Sequence, residues 1–161
     1  ERLSDITISH NRWAEAPDGA VQLWDDELML VCAPGHLKGR GTSQLATAVS
    51  EAGWIQLLGR EEYWQCMAEA LEIPEAGHTM RVSVNMMNMA LEYAARGAGV
   101  TVAPASLARP FIDRKLLMEP IPVRPRSPWT YYLHESRHAR SRSVGVVKRW
   151  ILSHAQQPLR G

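Results

Sequence analysis

Apolar and polar residues alternate along Met80-Arg81-Val82-Ser83-Val84, and at Asn85 the period changes more sharply than anywhere else in the chain. The alternating stretch, with its two valines, predicts a half-buried strand. Beyond it Met86, Met89, Ala90, Tyr93 and Ala94 recur at the spacing of one helical face, and Asn85 stands ahead of them as a side chain able to cap the first N–H groups. Arg96 falls in the last turn, Gly97 stops the helix, and Val100-Thr101-Val102-Ala103 predicts a second strand. Strand, helix and strand joined by turns this short predict a right-handed βαβ crossover whose two strands are parallel neighbours. Met87, Leu91 and Ala95 form a second apolar stripe, which predicts that a partner covers this helix as well as the sheet.

The same reading carries along the rest of the chain. Strands are predicted over residues 6–9, 21–24 and 28–32, with Pro17, Asp18 and Gly19 in the first loop and a sharp turn at Asp25-Asp26. Pro34 and Gly35 then break the pattern. Thr42-Ser43 caps a short helix over 44–51, residues 54–58 form a compact buried strand, and 61–71 is helical with Tyr63, Trp64, Met67, Ala68 and Leu71 inward. Residues 106–111 form a short helix. Pro120, Pro122, Pro125 and Pro128 predict an extended, hydrogen-bond-poor connector, followed by a strand over 129–133. A closing helix over 140–154 carries Val144, Val147 and Ile151 on one side, helped by Trp150. This order predicts an α/β protein of two lobes: residues 1–34 with 122–161, and residues 35–121. Ligands of open α/β sheets bind outside the carboxyl ends of strands, against helix N-termini.

Composition adds bounds. With 161 residues, 45% hydrophobic and 22% charged, the chain can bury one respectable core or two small ones, which excludes disorder as a whole. A net charge of +1 speaks against a dedicated nucleic-acid surface, although Arg residues gather in the last quarter. No apolar run approaches a membrane span and no secretory leader is evident. Cys32 and Cys66 fall in a predicted strand and helix, and two free cysteines in a reducing cytoplasm is the reading favoured over a disulfide. The chain opens directly on a strand, so it is read as starting inside a domain.

Several motifs carry chemistry on paper. His134-Glu135-Ser136-Arg137-His138 has the H-E-x-x-H form of zinc hydrolases, but it follows a β-like run instead of lying on a helix, and no acidic residue follows it. A strand-end loop is the simpler reading. Gly97-Ala98-Gly99 follows a helix instead of opening one, so it reads as a helix stop and not a dinucleotide fingerprint. Arg137, Arg140, Arg142, Lys148 and Arg149 read as a solvated helix face. No nucleophile–base pair or paired acids stand at compatible positions, so no enzyme and no cofactor are expected.

Asp5-Ile6-Thr7-Ile8, the run from Asp26 through Ala33-Pro34-Gly35-His36-Leu37, Ala94-Ala95-Arg96-Gly97-Ala98-Gly99-Val100 with Ala103-Pro104, Tyr131-Tyr132-Leu133 and the late Trp150 stand in the order and spacing of a known family. The chain resembles the C-terminal effector-binding (substrate-binding) domain of LysR-type transcriptional regulators over nearly its whole length. Gly53-Trp54 to Trp64 and Tyr131-Tyr132-Leu133 look closest to the branch holding the glycine-cleavage and β-lactamase activators. The resemblance implies a type 2 periplasmic-binding-protein-like fold with two lobes joined by two crossing strands, the first lobe incomplete and the winged helix-turn-helix absent. It implies a cytoplasmic homodimer or homotetramer that holds a small-molecule effector in the inter-lobe cleft and touches DNA only through the missing domain. A solute-binding protein of the same fold is the alternative, with a zinc hydrolase using His134, Glu135 and His138 behind it.

Position then supplies candidate effector contacts: Cys32, Ala33, Gly59, Arg60, Asn85, Met86, Ala103, Pro104 and Tyr131. Free N–H groups at the start of the central helix would suit a carboxylate, and Arg60 could pair with one. Met86 and Met87 stand where relatives often carry Ser or Thr, which favours an effector with an apolar or aromatic body. Met87, Leu91 and Ala95 of the central helix, with Val144, Val147 and Ile151 of the closing helix, are the candidate dimer interface.

Overall fold

The structure is a computed structural model and describes residues 4–37, 42–73, 80–136 and 141–155. In chain order its elements are β1 (Ile6–Arg12), β2 (Val21–Trp24), β3 (Leu28–Cys32), α1 (Thr42–Glu51), β4 (Trp54–Leu57), α2 (Glu62–Ala70), β5 (Met80–Val84), α3 (Met87–Ala95), β6 (Val100–Pro104), α4 (Ala105–Asp113), β7 (Trp129–Glu135) and α5 (Arg142–Ala155). The chain divides into two compact units, Glu1–Asp26 with Pro128–Gly161, and Glu27–Ser127. The sequence places the boundaries at 34/35 and 121/122. They differ because β3, grouped by sequence with the first region, is hydrogen-bonded along its whole length to β6 of the second.

In the first unit β7 is the middle strand of a three-stranded sheet ordered β1-β7-β2, antiparallel to both neighbours. β1 runs three residues beyond the predicted end. His10, Asn11 and Arg12 break the apolar pattern, yet they pair with Tyr131, Thr130 and Trp129, so sheet hydrogen bonding carries the strand where hydrophobic alternation stops. Lys148 Nζ of α5 donates to Glu135 Oε2 at 2.6 Å. β7 likewise extends past Leu133 to Glu135.

The second unit holds a four-stranded sheet ordered β3-β6-β4-β5, in which β6, β4 and β5 are parallel and β3 is antiparallel to β6. The βαβ unit forms, but β5 and β6 are not neighbours: β4 lies between them and pairs with both. β4, from earlier in the chain, holds the place between them, which local spacing cannot reveal. All five residues of β3 and of β6 are buried. On one face of the sheet Met29, Val31 and Ala103 form a core with Ile55, Val84, Ala90, Leu91, Ala94, Ala105, Ala108 and Leu117. Trp54 and Trp64 stack at 3.6 Å, and their ring N–H groups donate to the carbonyls of Val49 and Ile55, so neither aromatic buries an unpaired donor.

The proline-rich connector is extended as expected, but it is tied at both ends to the outer edge of β3. Cys32 and Met118 exchange backbone hydrogen bonds at 3.1 and 2.9 Å, and Leu28 N–H donates to Pro125 O at 2.8 Å. Arg124 adds two bonds to the Glu119 carboxylate, 2.8 and 2.7 Å. This covers an edge that would otherwise present unpaired backbone groups.

Candidate functional site

Because β4, β5 and β6 run parallel, their carboxyl ends share one edge of the four-stranded sheet. Leu58 N–H donates to Val84 O at 2.8 Å, holding the β4 end beside the β5 end. β3 starts on this edge, with Leu28 opposite Pro104. Gly59, Arg60, Asn85, Met86 and Pro104 therefore share this edge.

The helix that leaves this edge is open at its start. Met86 is the residue before α3, with extended φ −134° and ψ 133°, and no side chain caps the helix. Asn85 is thus not the cap: α3 begins one residue later than the pattern suggests, and Asn85 ends as an exposed residue of the turn. Met89 and Ala90 N–H groups both reach Met86 O, which leaves the N–H groups of Met87 and Asn88 as the donors at the helix start. Met86 itself is 56% exposed. An apolar contact and two backbone donors stand side by side, an arrangement that can hold a ligand with a hydrophobic body and one acceptor group.

The β4 end is organised around Gly59, whose φ of +74° favours glycine. Gly59 N–H donates to Glu61 Oε1 at 2.9 Å, and Arg60 Nη1 donates to Gly59 O at 2.6 Å. Hydrogen bonds from the backbone N–H groups of Glu61 and Gly59, helped by the Arg60 charge, hold the Glu61 carboxyl below the usual range. Arg60 consequently faces a resident anion. An entering carboxylate meets Glu61 there, and finds its uncontested donors at α3. Leu58, read from the sequence as part of a buried strand, is 56% exposed on this edge; no residue pattern distinguishes it from a core leucine, because it lies one position past the strand end.

The other expected contacts stand elsewhere, and Pro104, though at this edge, is enclosed. Ala103 has no exposed surface and belongs to the hydrophobic core, and Pro104 is buried as well. Cys32 and Ala33 lie at the opposite edge of the sheet, since antiparallel pairing sets Cys32 against Val100 and not against Pro104. Four residues of strand separate the two edges by roughly 13 Å. Burial pushes the Cys32 thiol up to about 11, so it is an inert core thiol, and both cysteines are free. Tyr131 is half-buried on β7 of the other unit.

The expected dimer stripe is also redistributed. Leu91 has no exposed surface, and Met87 and Ala95 are partly buried against the same core. The stripe is absorbed by the chain's own sheet. The exposed apolar residues of α3 are Met89 and Tyr93, and those of α5 are Val146, Val147 and Trp150, with Val144 buried and Ile151 half-buried. His134 and Glu135 lie on β7, where successive side chains point to opposite faces; His134 Nε2 meets Ser9 Oγ at 2.6 Å and Glu135 bonds Lys148. Their strand geometry is incompatible with the helical H-E-x-x-H site, and His138 lies outside the described residues.

Comparison with known proteins gives a consistent result. A family model described as the LysR substrate binding domain matches residues 1–156. The effector domain of the transcriptional regulator AmpR of Pseudomonas aeruginosa is similar in structure, with 18% identity and a TM-score of 0.74, covering 94% of this chain and 72% of that one. The AmpR effector binding domain of Citrobacter freundii gives 17% and 0.75, with 94% and 74% covered. Full-length LysG of Corynebacterium glutamicum, with bound effector Arg, gives 15% and 0.68, covering 96% of this chain and 52% of that one. At these identities the structural likeness establishes the fold, a type 2 periplasmic-binding-protein-like one. No curated protein gave a match.

Proposed function

The chain belongs to the LysR substrate binding domain family, and from that premise we propose that it is the effector-sensing part of a LysR-type transcriptional regulator. Family and fold neighbours are effector domains of regulators and not enzymes. The observation that carries the reading is the shared carboxyl edge of β4, β5 and β6, where α3 starts without a side-chain cap beside an exposed Met86. The proposed effector site is this edge of the second unit, with Leu58, Arg60, Asn85 and Met86 as its side chains. Exposed thioether and leucine surface suits an effector with an apolar body, and the Met87 and Asn88 N–H groups suit a single carboxylate on it.

Signalling requires that the effector bind one arrangement of the regulator more tightly than another, since equal affinity for both shifts nothing. DNA contact belongs to a segment outside this chain. Homodimer or homotetramer formation is part of the proposal, with Met89 and Tyr93 of α3 and Val146, Val147 and Trp150 of α5 as the apolar faces available to it. No helix among the described residues is long and apolar enough to cross a membrane. A cytoplasmic site follows from the regulator reading.

The test is thermal unfolding against amino acids, aromatic acids, cell-wall fragments and Zn²⁺. An organic effector at a hundredfold excess over its Kd adds about 2.7 kcal/mol. Met86→Arg removes that response without lowering the stability of the free chain, because Met86 is exposed. Stabilisation by zinc alone, or an effector response untouched by Met86→Arg, overturns the assignment.

A further inference from the structure

β1 and β2 are both antiparallel to β7, so they run parallel to each other, and their carboxyl ends lie at one end of the three-stranded sheet beside the first residue of β7. Five side chains gather there. Trp24 stacks on Tyr131 at 4.7 Å, Tyr131 stacks on His10 at 4.4 Å, and His10 meets Trp129 at 5.3 Å with the rings tilted. The Arg12 guanidinium sits 5.7 Å from the centre of the Trp129 ring. All four rings are half-buried. α5 bonds this sheet at its other end, through Lys148 and Glu135, six residues along β7 and so roughly 20 Å away.

Rings stacked side by side, as Trp24, Tyr131 and His10 are, present ring edges along the rim of the stack, and the edge of an aromatic ring is its electropositive part. Such a surface attracts the electron-rich face of another ring in edge-to-face geometry. Arg12 adds the one cation of the group with a fork that matches a carboxylate. Its acidic neighbour Glu15 stands at 3.8 Å with both side chains exposed, a contact that a better-placed carboxylate can displace. Carboxyl ends of strands are also where open α/β sheets take ligands.

We propose that this ladder is a second binding surface, separate from the α3 edge, for a small aromatic carboxylate, an inference that rests on the effector-sensing reading above. The ligand ring packs against the edges of Tyr131, His10 and Trp129, and its carboxylate pairs with Arg12.

The experiment is a titration of the full chain with benzoate, phenylacetate and indole-3-acetate, followed through the ¹⁵N-labelled indole N–H signals of its six tryptophans. Cyclohexanecarboxylate, which lacks the ring face, and benzamide, which lacks the charge, serve as controls. At least one aromatic acid is expected to shift the Trp24 and Trp129 signals saturably while those of the Trp54–Trp64 core pair stay. Both controls bind at least tenfold more weakly, and Arg12→Gln and Tyr131→Leu each weaken binding at least tenfold. Arg12 is exposed, so Arg12→Gln keeps the test decisive if Tyr131→Leu does not fold. Absence of saturable shifts up to about 10 mM, well beyond a millimolar Kd, overturns the proposal, as does binding unchanged in Arg12→Gln. An effector response removed by Met86→Arg, with Trp24 and Trp129 unmoved by every aromatic acid, overturns the ladder and leaves the sensor reading standing. Ladder binding that is unchanged in Met86→Arg supports a surface separate from the edge site of the second unit.

Discussion

Leu91 shows how one side chain changes meaning between sequence and structure. On the helical wheel it centres a stripe that predicts a covering partner, whereas in the fold it is fully enclosed by the chain's own core. Leu91→Asp therefore unfolds the chain instead of giving folded monomers, and the milder Leu91→Ala costs about 2–5 kcal/mol in urea unfolding. Met89→Asp, on a 40% exposed position of the same helix, stays within about 0.5 kcal/mol. Cys32 carries a pH prediction. Burial pushes its thiol up from the ordinary 9.0 to about 11, so the contribution is fully present below pH 9 and is lost as pH rises toward 11, because the unfolded chain ionises first. Stability curves measured across that window should fall with pH, and Cys32→Ala should flatten the fall. At neutral pH, thiol labelling followed by peptide mapping should leave Cys32 unmodified until the chain unfolds.

At the scale of elements, the turn between α3 and β6 repays attention because two glycines in it do different work. Gly97 ends the helix at φ +77° with open space around it, so Gly97→Ala carries only the left-handed conformational cost, about 1–2 kcal/mol. At Gly99 a Cβ would lie 2.0 Å from the carbonyl oxygen of Gly53, the same oxygen that accepts the Val100 N–H. Gly99→Ala must push two backbone segments apart and weaken that bond, so it destabilises more than Gly97→Ala; paired thermal melts decide it, and equal losses would contradict the close approach. The stop signal at Gly97 is legible in the sequence, because helix ends have a local chemistry. The approach of Gly53 is not, since it depends on β4 lying beside β6. The same holds for the end of β1, where His10 and Arg12 read as loop until Tyr131 and Trp129 stand opposite them.

For the whole molecule, burial is unevenly spread. β3 and β6 bury every residue, while β1 buries none fully and forms one border of its sheet. Native-state hydrogen exchange should therefore find the slowest amides in β3 and β6 and faster exchange along the outer side of β1; the opposite order would contradict this distribution of core. Much of this architecture follows from the chain alone. Periods of two and of three to four residues, with glycine and proline punctuation, located nearly every strand and helix, and the order of motifs identified the family resemblance. They suffice because secondary structure and its stops answer to neighbours within a few residues. Which strands pair is a different question. The placement of β4 between β5 and β6, the antiparallel return of β3 that carries Cys32 and Ala33 to the far edge, the burial of Leu91 and Ala103, and the stacking of His10 on Tyr131 all join residues far apart in sequence. Only the folded chain settles those contacts, because each is chosen by the packing of complete surfaces and not by any local preference.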